Sequence, residues 1–175
     1  MSSSQVKYMD SSGMEPYPEY KDSGVEWIGE IPQHWDVVQM KYLIKVINGN
    51  GFAEELQGRS EGHYPFFKVS DINSQGVFVT TAKNHVTKQD IIKYRWNIIP
   101  SNSIIVPKIG EALKKNHRKI NKNDCLIDNN IMALKPKKKN ELNIDYLYYL
   151  FCIIDMEWYG TVSYTHLTLP TNREV

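Results

Sequence analysis

The sequence has few cysteines, no long apolar run and no excess of charge of either sign. Its 175 residues include only Cys125 and Cys152, which lie too far apart to form a metal-binding pair and favour free thiols in a cytoplasmic protein. No apolar stretch approaches the roughly 20 residues that span a bilayer, and the N-terminus lacks the apolar core of a signal peptide. The 41% hydrophobic and 23% charged residues are typical of a globular domain with a real core.

Sequence motifs of catalytic sites are also absent or incomplete. The glycines at residues 49–58 have neither the spacing nor the strand context of a dinucleotide-binding loop, and no phosphate-binding Gly-Lys-Ser/Thr occurs. His117 lacks the second histidine and the metal cluster of a nuclease site, and the methyltransferase motif Asn-Pro-Pro-aromatic is missing. We therefore expect no catalytic residues and no metal ligands. An enzyme is kept as the alternative to a non-catalytic chain, either a nuclease that uses His117 and nearby carboxylates or a recognition piece of a fused methyltransferase.

The net charge of +1 conceals two segments of opposite sign. Residues 1–36 hold two lysines against seven carboxylates, a net charge of −5. Residues 108–139 hold ten lysines and arginines against three carboxylates, a net charge of +7. A basic block of this size suits a polyanion such as nucleic acid, and a solvated charged face is the alternative.

Short apolar runs predict several strands separated by polar breaks. Residues 103–108 form the clearest one, because their apolar run suits a strand buried on both faces. Breaks are expected where glycine or proline occurs among polar residues, at residues 48–51, 58–62, 97–102 and 136–139. The other predicted strands are residues 64–69, 76–80, 126–127 and 131–134.

Two helices are predicted from their caps and periodicity. Thr87 followed by Asp90 three residues later is typical of a capped helix over residues 87–95. Asn143 opens an apolar helix over residues 143–156, whereas residues 37–47 fit a helical or a mixed period. The resulting fold class is α+β, with a mixed, short-stranded sheet and flanking helices.

The segment before the first predicted strand or helix has the most informative amino-acid sequence. Residues 17–43 read YPEYKDSGVEWIGEIPQHWDVVQMKYL, with Trp27 and Trp35 on either side of a Gly-Glu-Ile-Pro turn. Taken alone, this is an extended arm whose tryptophans pin it to a core. The whole string closely resembles the opening of the specificity subunit of type I restriction–modification systems, where it leads into the first target-recognition domain.

The resemblance continues in PFFKVSDIN at residues 65–73 and in residues 102–137, which look like the body of the same recognition domain. It implies an N-terminal tail and arm over residues 1–36 and an incomplete target-recognition domain over residues 37–161. It also implies a non-catalytic module that reads one half of a bipartite site in double-stranded DNA.

Residues with DNA-binding chemistry cluster after the clearest strand. Arg or Lys can bridge guanine and Asn can bridge adenine, whereas lysines suit phosphates, which position the protein without specifying a sequence. Asn116 and Arg118 are therefore candidates for base edges. The remaining candidates are Lys108, Lys114, Lys115 and Lys119, the weaker set Lys68, Ser70 and Asp71, and finally Asn129 and Asn130, which are equally suited to forming a turn. An ordinary solvated loop is the alternative for the whole segment.

The resemblance further implies a cytoplasmic complex. Methylation subunits that bind S-adenosylmethionine, and a motor-nuclease subunit that uses ATP and Mg²⁺, would join this chain on DNA. The assembled complex would be a site-specific endonuclease and adenine methyltransferase. No cofactor bound by this chain and no membrane are expected.

The last residues carry a different expectation. Residues 162–171 read VSYTHLTLPT, the in-frame translation of the end of a transposon-type sequencing adapter. An index would encode the next residues, and the adapter's following GTG TAG gives Val175 and a stop. Residues 162–175 are therefore expected to be a non-native tail on an incomplete domain.

Overall fold

The computed structural model describes residues 16–138, 142–154 and 168–172. The chain divides into two compact units, one made of residues 1–37 with 170–175 and the other of residues 38–169. No helix of the described part is long and apolar enough to cross a bilayer.

The described residues form short strands and short helices. The strands are Tyr20–Asp22 (β1), Glu30–Pro32 (β2), Trp35–Gln39 (β3), Ile44–Asn48 (β4), Tyr64–Phe67 (β5), Phe78–Val79 (β6), Asn84–Val86 (β7), Ile104–Pro107 (β8), Lys119–Asn121 (β9), Leu126–Ile127 (β10), Ile131–Pro136 (β11) and Thr168–Asn172 (β12). The helices are Met40–Leu43 (α1), Val69–Ile72 (α2), Lys88–Tyr94 (α3), Gly110–Lys114 (α4) and Ile144–Ile153 (α5), with a 3-10 turn at Glu54–Leu56.

The first unit holds the arm, which is a hairpin rather than a simple extended segment. β1 pairs with β2 in antiparallel register, with Lys21 opposite Ile31. Gly24 has a φ of +71°, a conformation that glycine adopts at little cost. β3 pairs with β12, where the Thr171 hydroxyl donates to the Asp36 carbonyl oxygen at 3.3 Å. Most of residues 162–175 lie outside the described residues, so the expected non-native origin of this tail stays a prediction.

Two mixed sheets form the second unit, and the α+β prediction is confirmed. The larger sheet has the order β4-β11-β8-β9-β6, with β6 parallel to β9 and its other pairs antiparallel. The smaller sheet has the order β10-β5-β7, with β10 parallel to β5. Parallel pairs beside antiparallel ones require long connections between strands that are distant in sequence.

β8 is buried on both faces, as its apolar run predicts. Ile104 and Val106 pack on one face together with Leu147 and Phe151 of α5. Ile105 packs on the other face with Ile131 and other buried side chains. The alternation follows from the period of two along a strand, and it places β8 at the centre of the core.

The two predicted helix caps are confirmed. The Thr87 hydroxyl accepts a hydrogen bond from the Asp90 amide at 3.3 Å, and the Asp90 carboxylate accepts one from the Thr87 amide at 2.7 Å. The Asn143 side chain accepts bonds from the first amides of α5. The predicted end of that helix at Met156 lies outside the described residues.

Two parts of the sequence prediction are wrong in detail, and one alternative that it left open is decided. Residues 37–47, which fit a helical or a mixed period, are the end of β3, the single turn of α1 and most of β4. The segment after β8, predicted as a basic loop, contains α4 and β9. α4 starts at Gly110, which has a φ of +76°. The buried Ile120 fixes β9 in the sheet. Pro136 ends β11 rather than lying in a loop, since this residue still pairs with Ile44 of β4.

Candidate nucleic-acid interface

The ends of three strands meet at one edge of the second unit. The Asp128 amide donates to the Phe67 carbonyl oxygen at 3.0 Å, which joins the end of β5 to the turn before β11. The Lys108 amide donates to the Asn130 carbonyl oxygen at 2.8 Å, which joins the end of β8 to the same turn. Three separate groups of predicted site residues, at Lys68, Lys108 and the turn, are therefore brought together.

The turn of residues 128–130 is built by its first residue. The Asp128 carboxylate accepts a bond from the Asn130 amide at 2.9 Å, and the Asp128 carbonyl oxygen accepts one from the Ile131 amide at 2.9 Å. Asn129 and Asn130 are both exposed. The turn geometry thus uses the backbone of Asn130, and the two side-chain amides extend at the surface.

Gly49, which the sequence pattern predicts only as part of a break between strands, contacts the backbone of this turn. The Gly49 amide donates to the Ile131 carbonyl oxygen at 3.1 Å, and the Asn50 amide donates to that of Ile127 at 2.8 Å. A Cβ atom at Gly49 would lie 1.9 Å from the Asp128 carbonyl oxygen. The Asn-Gly-Asn-Gly run was the available signal, because glycine inside or beside a strand often marks a close backbone approach.

Lys68 and Asp71 have local partners at the start of α2. The buried Asp71 carboxylate accepts a bond from the Lys68 amide at 2.8 Å and so caps the helix. The Lys68 ammonium group donates to the Gln57 side-chain oxygen at 2.5 Å and lies 4.1 Å from the centre of the Phe52 ring. Ser70 is exposed. Of this weaker set, Lys68 and Ser70 have surface positions and Asp71 does not.

Lys114 and Lys115 end α4 with exposed side chains. The Lys114 ammonium group lies 3.8 Å from the Glu111 carboxylate, in a surface pair whose side chains are both more than half exposed. Such pairs contribute little to stability because water and salt screen them. Both lysines can therefore turn toward a polyanion at little cost.

The structure places Lys119 differently from the expected phosphate contact. Its side chain is buried, with a residue exposure of 4%, and its ammonium group donates to the backbone carbonyl oxygens of Ser74 and Gly76. Burial lowers the pKa of Lys119. DNA contact by this residue remains a prediction, but its ammonium group holds the segment after α2 against the start of β9.

Asn116 and Arg118 also point into the protein. Asn116 adopts a φ of +56°, and its side-chain amide donates to the Ile154 carbonyl oxygen at 3.1 Å. Arg118 has an exposure of 4%, and its Nε donates to the Asn116 carbonyl oxygen at 2.9 Å. The base contacts predicted for both residues are not tested by this arrangement, but their present conformations do not expose the groups that would make them.

The described residues contain no group of three or more His, Cys, Asp or Glu side chains arranged to hold a metal ion. Polar side chains on a turn between buried strands suit hydrogen bonds to the edges of DNA bases. Exposed lysines nearby suit contacts with the phosphates.

Comparison with known proteins identifies one family. The model of the "Type I restriction modification DNA specificity domain" matches residues 32–171. The type I restriction enzyme MjaIX specificity subunit of Methanocaldococcus jannaschii is 23% identical over 154 residues, which are 85% of this chain and 34% of that protein. The chain spans about a third of the length of the curated relatives it matches.

Solved structures share the fold at low sequence identity. The HsdS subunit from Thermoanaerobacter tengcongensis superposes with a TM-score of 0.61 at 13% identity, over 87% of this chain and 35% of that one. The type I restriction–modification system S subunit from M. genitalium gives a TM-score of 0.52 at 16% identity, over 80% of this chain and 35% of that one.

Proposed function

Because the chain belongs to the family of type I restriction–modification DNA specificity domains, we propose that it reads the base sequence of double-stranded DNA. In this proposal it is the first target-recognition domain of a specificity subunit and reads one half of a bipartite site. It carries out no chemical step itself. The family membership favours this function over the alternative of a DNA-cleaving or DNA-methylating enzyme fragment.

The observation that carries the proposal is the meeting of three strand ends at the turn of residues 128–130. Hydrogen bonds from Lys108 and Asp128 fix this turn on β8 and β5. The exposed Asn129 and Asn130 amides each offer a donor and an acceptor, the combination that adenine presents in the major groove. A turn whose backbone is held in this way favours specificity, because little backbone freedom is lost on binding.

Phosphate contacts would come from the neighbouring α4. Lys114 and Lys115 are exposed there, and the whole segment of residues 108–139 has a net charge of +7. Cations beside the reading turn would fix the register of the protein on the duplex and speed association. The acidic arm of residues 17–36 is unsuited to that role, since like charges repel.

The partners proposed for the complete subunit follow from the family. Methylation subunits carrying S-adenosylmethionine and a motor-nuclease subunit using ATP and Mg²⁺ would assemble with it in the cytoplasm. Cleavage and adenine methylation would belong to that complex. The isolated chain is expected to bind DNA but neither to cleave nor to methylate it.

Selection from a randomised duplex library at one fixed salt concentration tests the function. We expect enrichment of one short motif, and we expect that replacing Asn129 and Asn130 by alanine removes the enrichment at defined positions. The matched control is Gln89→Ala, an exposed amide on α3. Binding of every sequence with equal affinity would contradict the proposal, as would metal-dependent cleavage by the purified chain.

A further inference from the structure

A cationic cleft lies between the end of α4 and α5. Its volume is about 340 Å³, near the lower end of the ~300–1,000 Å³ typical of small-molecule sites. None of the described residues that line it is a carboxylate. The lining residues are Lys115, Asn116, His117, Arg118, Lys119, Tyr148 and Cys152.

The guanidinium group of Arg118 is the unusual feature of this cleft. Its Nε bonds to the Asn116 carbonyl oxygen, but Nη1 and Nη2 are buried and have no hydrogen-bond partner among the described residues. A buried charge with unused donors is costly unless a counter-charge and acceptors are supplied. The planar fork of a guanidinium matches two oxygens of one oxyanion, which would supply both.

The electrostatics of the cleft indicate the charge of the missing partner. Burial lowers the pKa of His117, and the charges of Lys119, Lys115 and Arg118 lower it further. Burial also lowers the pKa of Arg118. The described lining residues supply cationic groups and no carboxylate, so an anionic partner is expected. A phosphoryl group fits, because it presents at least two terminal oxygens to the guanidinium fork and carries one negative charge as a diester or up to two as a free phosphate.

We propose that this cleft binds one phosphoryl group, with Arg118 as the bidentate ligand, Lys115 as a cationic neighbour and the His117 imidazole as a further hydrogen-bond donor. Water does not reach Nη1 or Nη2 in the conformation described, so a side chain of the cleft moves when the anion enters. Tyr148 and Cys152 are the side chains that α5 contributes. If the phosphoryl group belongs to the DNA backbone, this inference rests on the proposed function. If it belongs to a free phosphate compound, it does not.

The two cysteines provide a direct reporter. Cys152 is exposed and lines the cleft. Cys125 is buried, and burial raises the pKa of its thiol to about 12. Only a thiolate reacts rapidly with an alkylating reagent. Alkylation of the folded chain therefore reports on Cys152, with Cys125 as the internal reference for unfolding.

The first experiment measures iodoacetamide alkylation of the full chain in inorganic phosphate and in chloride at equal ionic strength. With phosphate at about ten times its dissociation constant, labelling of Cys152 should slow about tenfold, because only the unliganded fraction reacts. Arg118→Met should abolish this protection and Arg118→Lys should restore part of it. The matched control, Lys88→Met on the exposed start of α3, should keep the wild-type protection.

Arg118→Met is expected to stay folded, since an apolar chain of similar length replaces an unpaired buried charge. A second measurement on the wild type does not depend on that variant. Phosphate should raise the pKa of His117 in an NMR titration, whereas chloride should not. Absence of both the Cys152 protection and the rise in the His117 pKa would overturn the site.

A duplex DNA arm then identifies the source of the phosphoryl group. If the DNA backbone supplies it, Arg118→Met should remove one phosphate contact. The slope of log affinity against log salt should then become less steep by about 0.9. An unchanged slope, together with phosphate protection of Cys152, assigns the site to a free phosphate compound. A wild type that binds phosphate and selects no DNA sequence would contradict the proposed function alone.

Discussion

The backbone amide of Lys108 donates a hydrogen bond of 2.8 Å to the carbonyl oxygen of Asn130. This single bond ties the end of β8, a strand buried along its whole length, to the turn that precedes β11. The turn therefore moves with the core of the second unit and not as a free loop. The backbone positions of Asn129 and Asn130 are therefore fixed, as base recognition requires.

The first prediction concerns these two amides. Asn129→Ala and Asn130→Ala should each relax the selected sequence at one base position, lowering discrimination there by about 1–3 kcal/mol. Affinity for random duplex should change little, since neither side chain carries charge. Competition binding with single-base variants of the selected site measures both quantities. An equal loss on all sequences would mean that the amides only shape the turn.

The second prediction concerns the exposed lysines of α4. Lys114→Glu combined with Lys115→Glu should remove about two phosphate contacts. The slope of log affinity against log salt should become less steep by about 0.9 for each of them. Lys88→Glu, on the exposed start of α3, is the control and should leave the slope unchanged. A titration that gives the same slope for the double variant and the wild type would exclude α4 from the interface.

Lys119 does not belong in that experiment, and the reason shows what the sequence could and could not predict. β8, the Thr87 cap and α5 were predictable because a local run, a three-residue spacing or a helical period determines each of them. The burial of Lys119 depends on pairing between β9 and β8, where it lies opposite Ile105. That pairing is a contact between segments far apart in sequence, which composition does not reveal.

Arg118 illustrates the same limit. In a basic polar run its residue type predicts exposure, but α5 closes over the segment from more than twenty residues further along the chain. The hydrogen bond between Lys108 and Asn130 was equally unpredictable from the sequence, although each residue was predicted separately as a candidate. Residue chemistry identified the candidates, and long-range strand pairing decided which ones face solvent.

The third prediction is a pH dependence of stability at the start of α3. Burial opposes ionisation of Asp90, but hydrogen bonds from Thr87 and Arg59 outweigh it and lower the pKa of Asp90 to about 2. Since the unfolded value is about 3.9, the ionised carboxylate stabilises the fold above about pH 4. This contribution is lost as the pH falls toward 2.

Asp90→Asn should therefore lower the free energy of unfolding by about 1.5–3 kcal/mol near pH 6, the usual range for hydrogen bonds to a charged group. The difference between variant and wild type should shrink steadily between about pH 4 and pH 2. Urea unfolding at a series of pH values measures it. A difference that stays constant down to pH 2 would mean that the Asp90 charge does not stabilise the helix.

The last prediction compares two glycines of one segment. A Cβ atom at Gly49 would lie 1.9 Å from the Asp128 carbonyl oxygen, and its three nearest atoms all belong to the backbone, which cannot yield as the end of a flexible side chain does. A Cβ atom at Gly51 meets nothing within 4 Å. Gly49→Ala should thus cost about 1–3 kcal/mol of unfolding free energy, as overpacking does, whereas Gly51→Ala should be neutral or slightly stabilising.

The same pair separates stability from recognition. Because the Asp128 backbone that Gly49 contacts carries Asn129 and Asn130, Gly49→Ala should also weaken base discrimination under conditions where the protein is still folded. Gly51→Ala should leave both the urea midpoint and the selected sequence unchanged. Gly49→Ala with wild-type base discrimination would show that the position of the turn is not what the protein uses to read DNA. Equal destabilisation by both variants would contradict the close approach at Gly49.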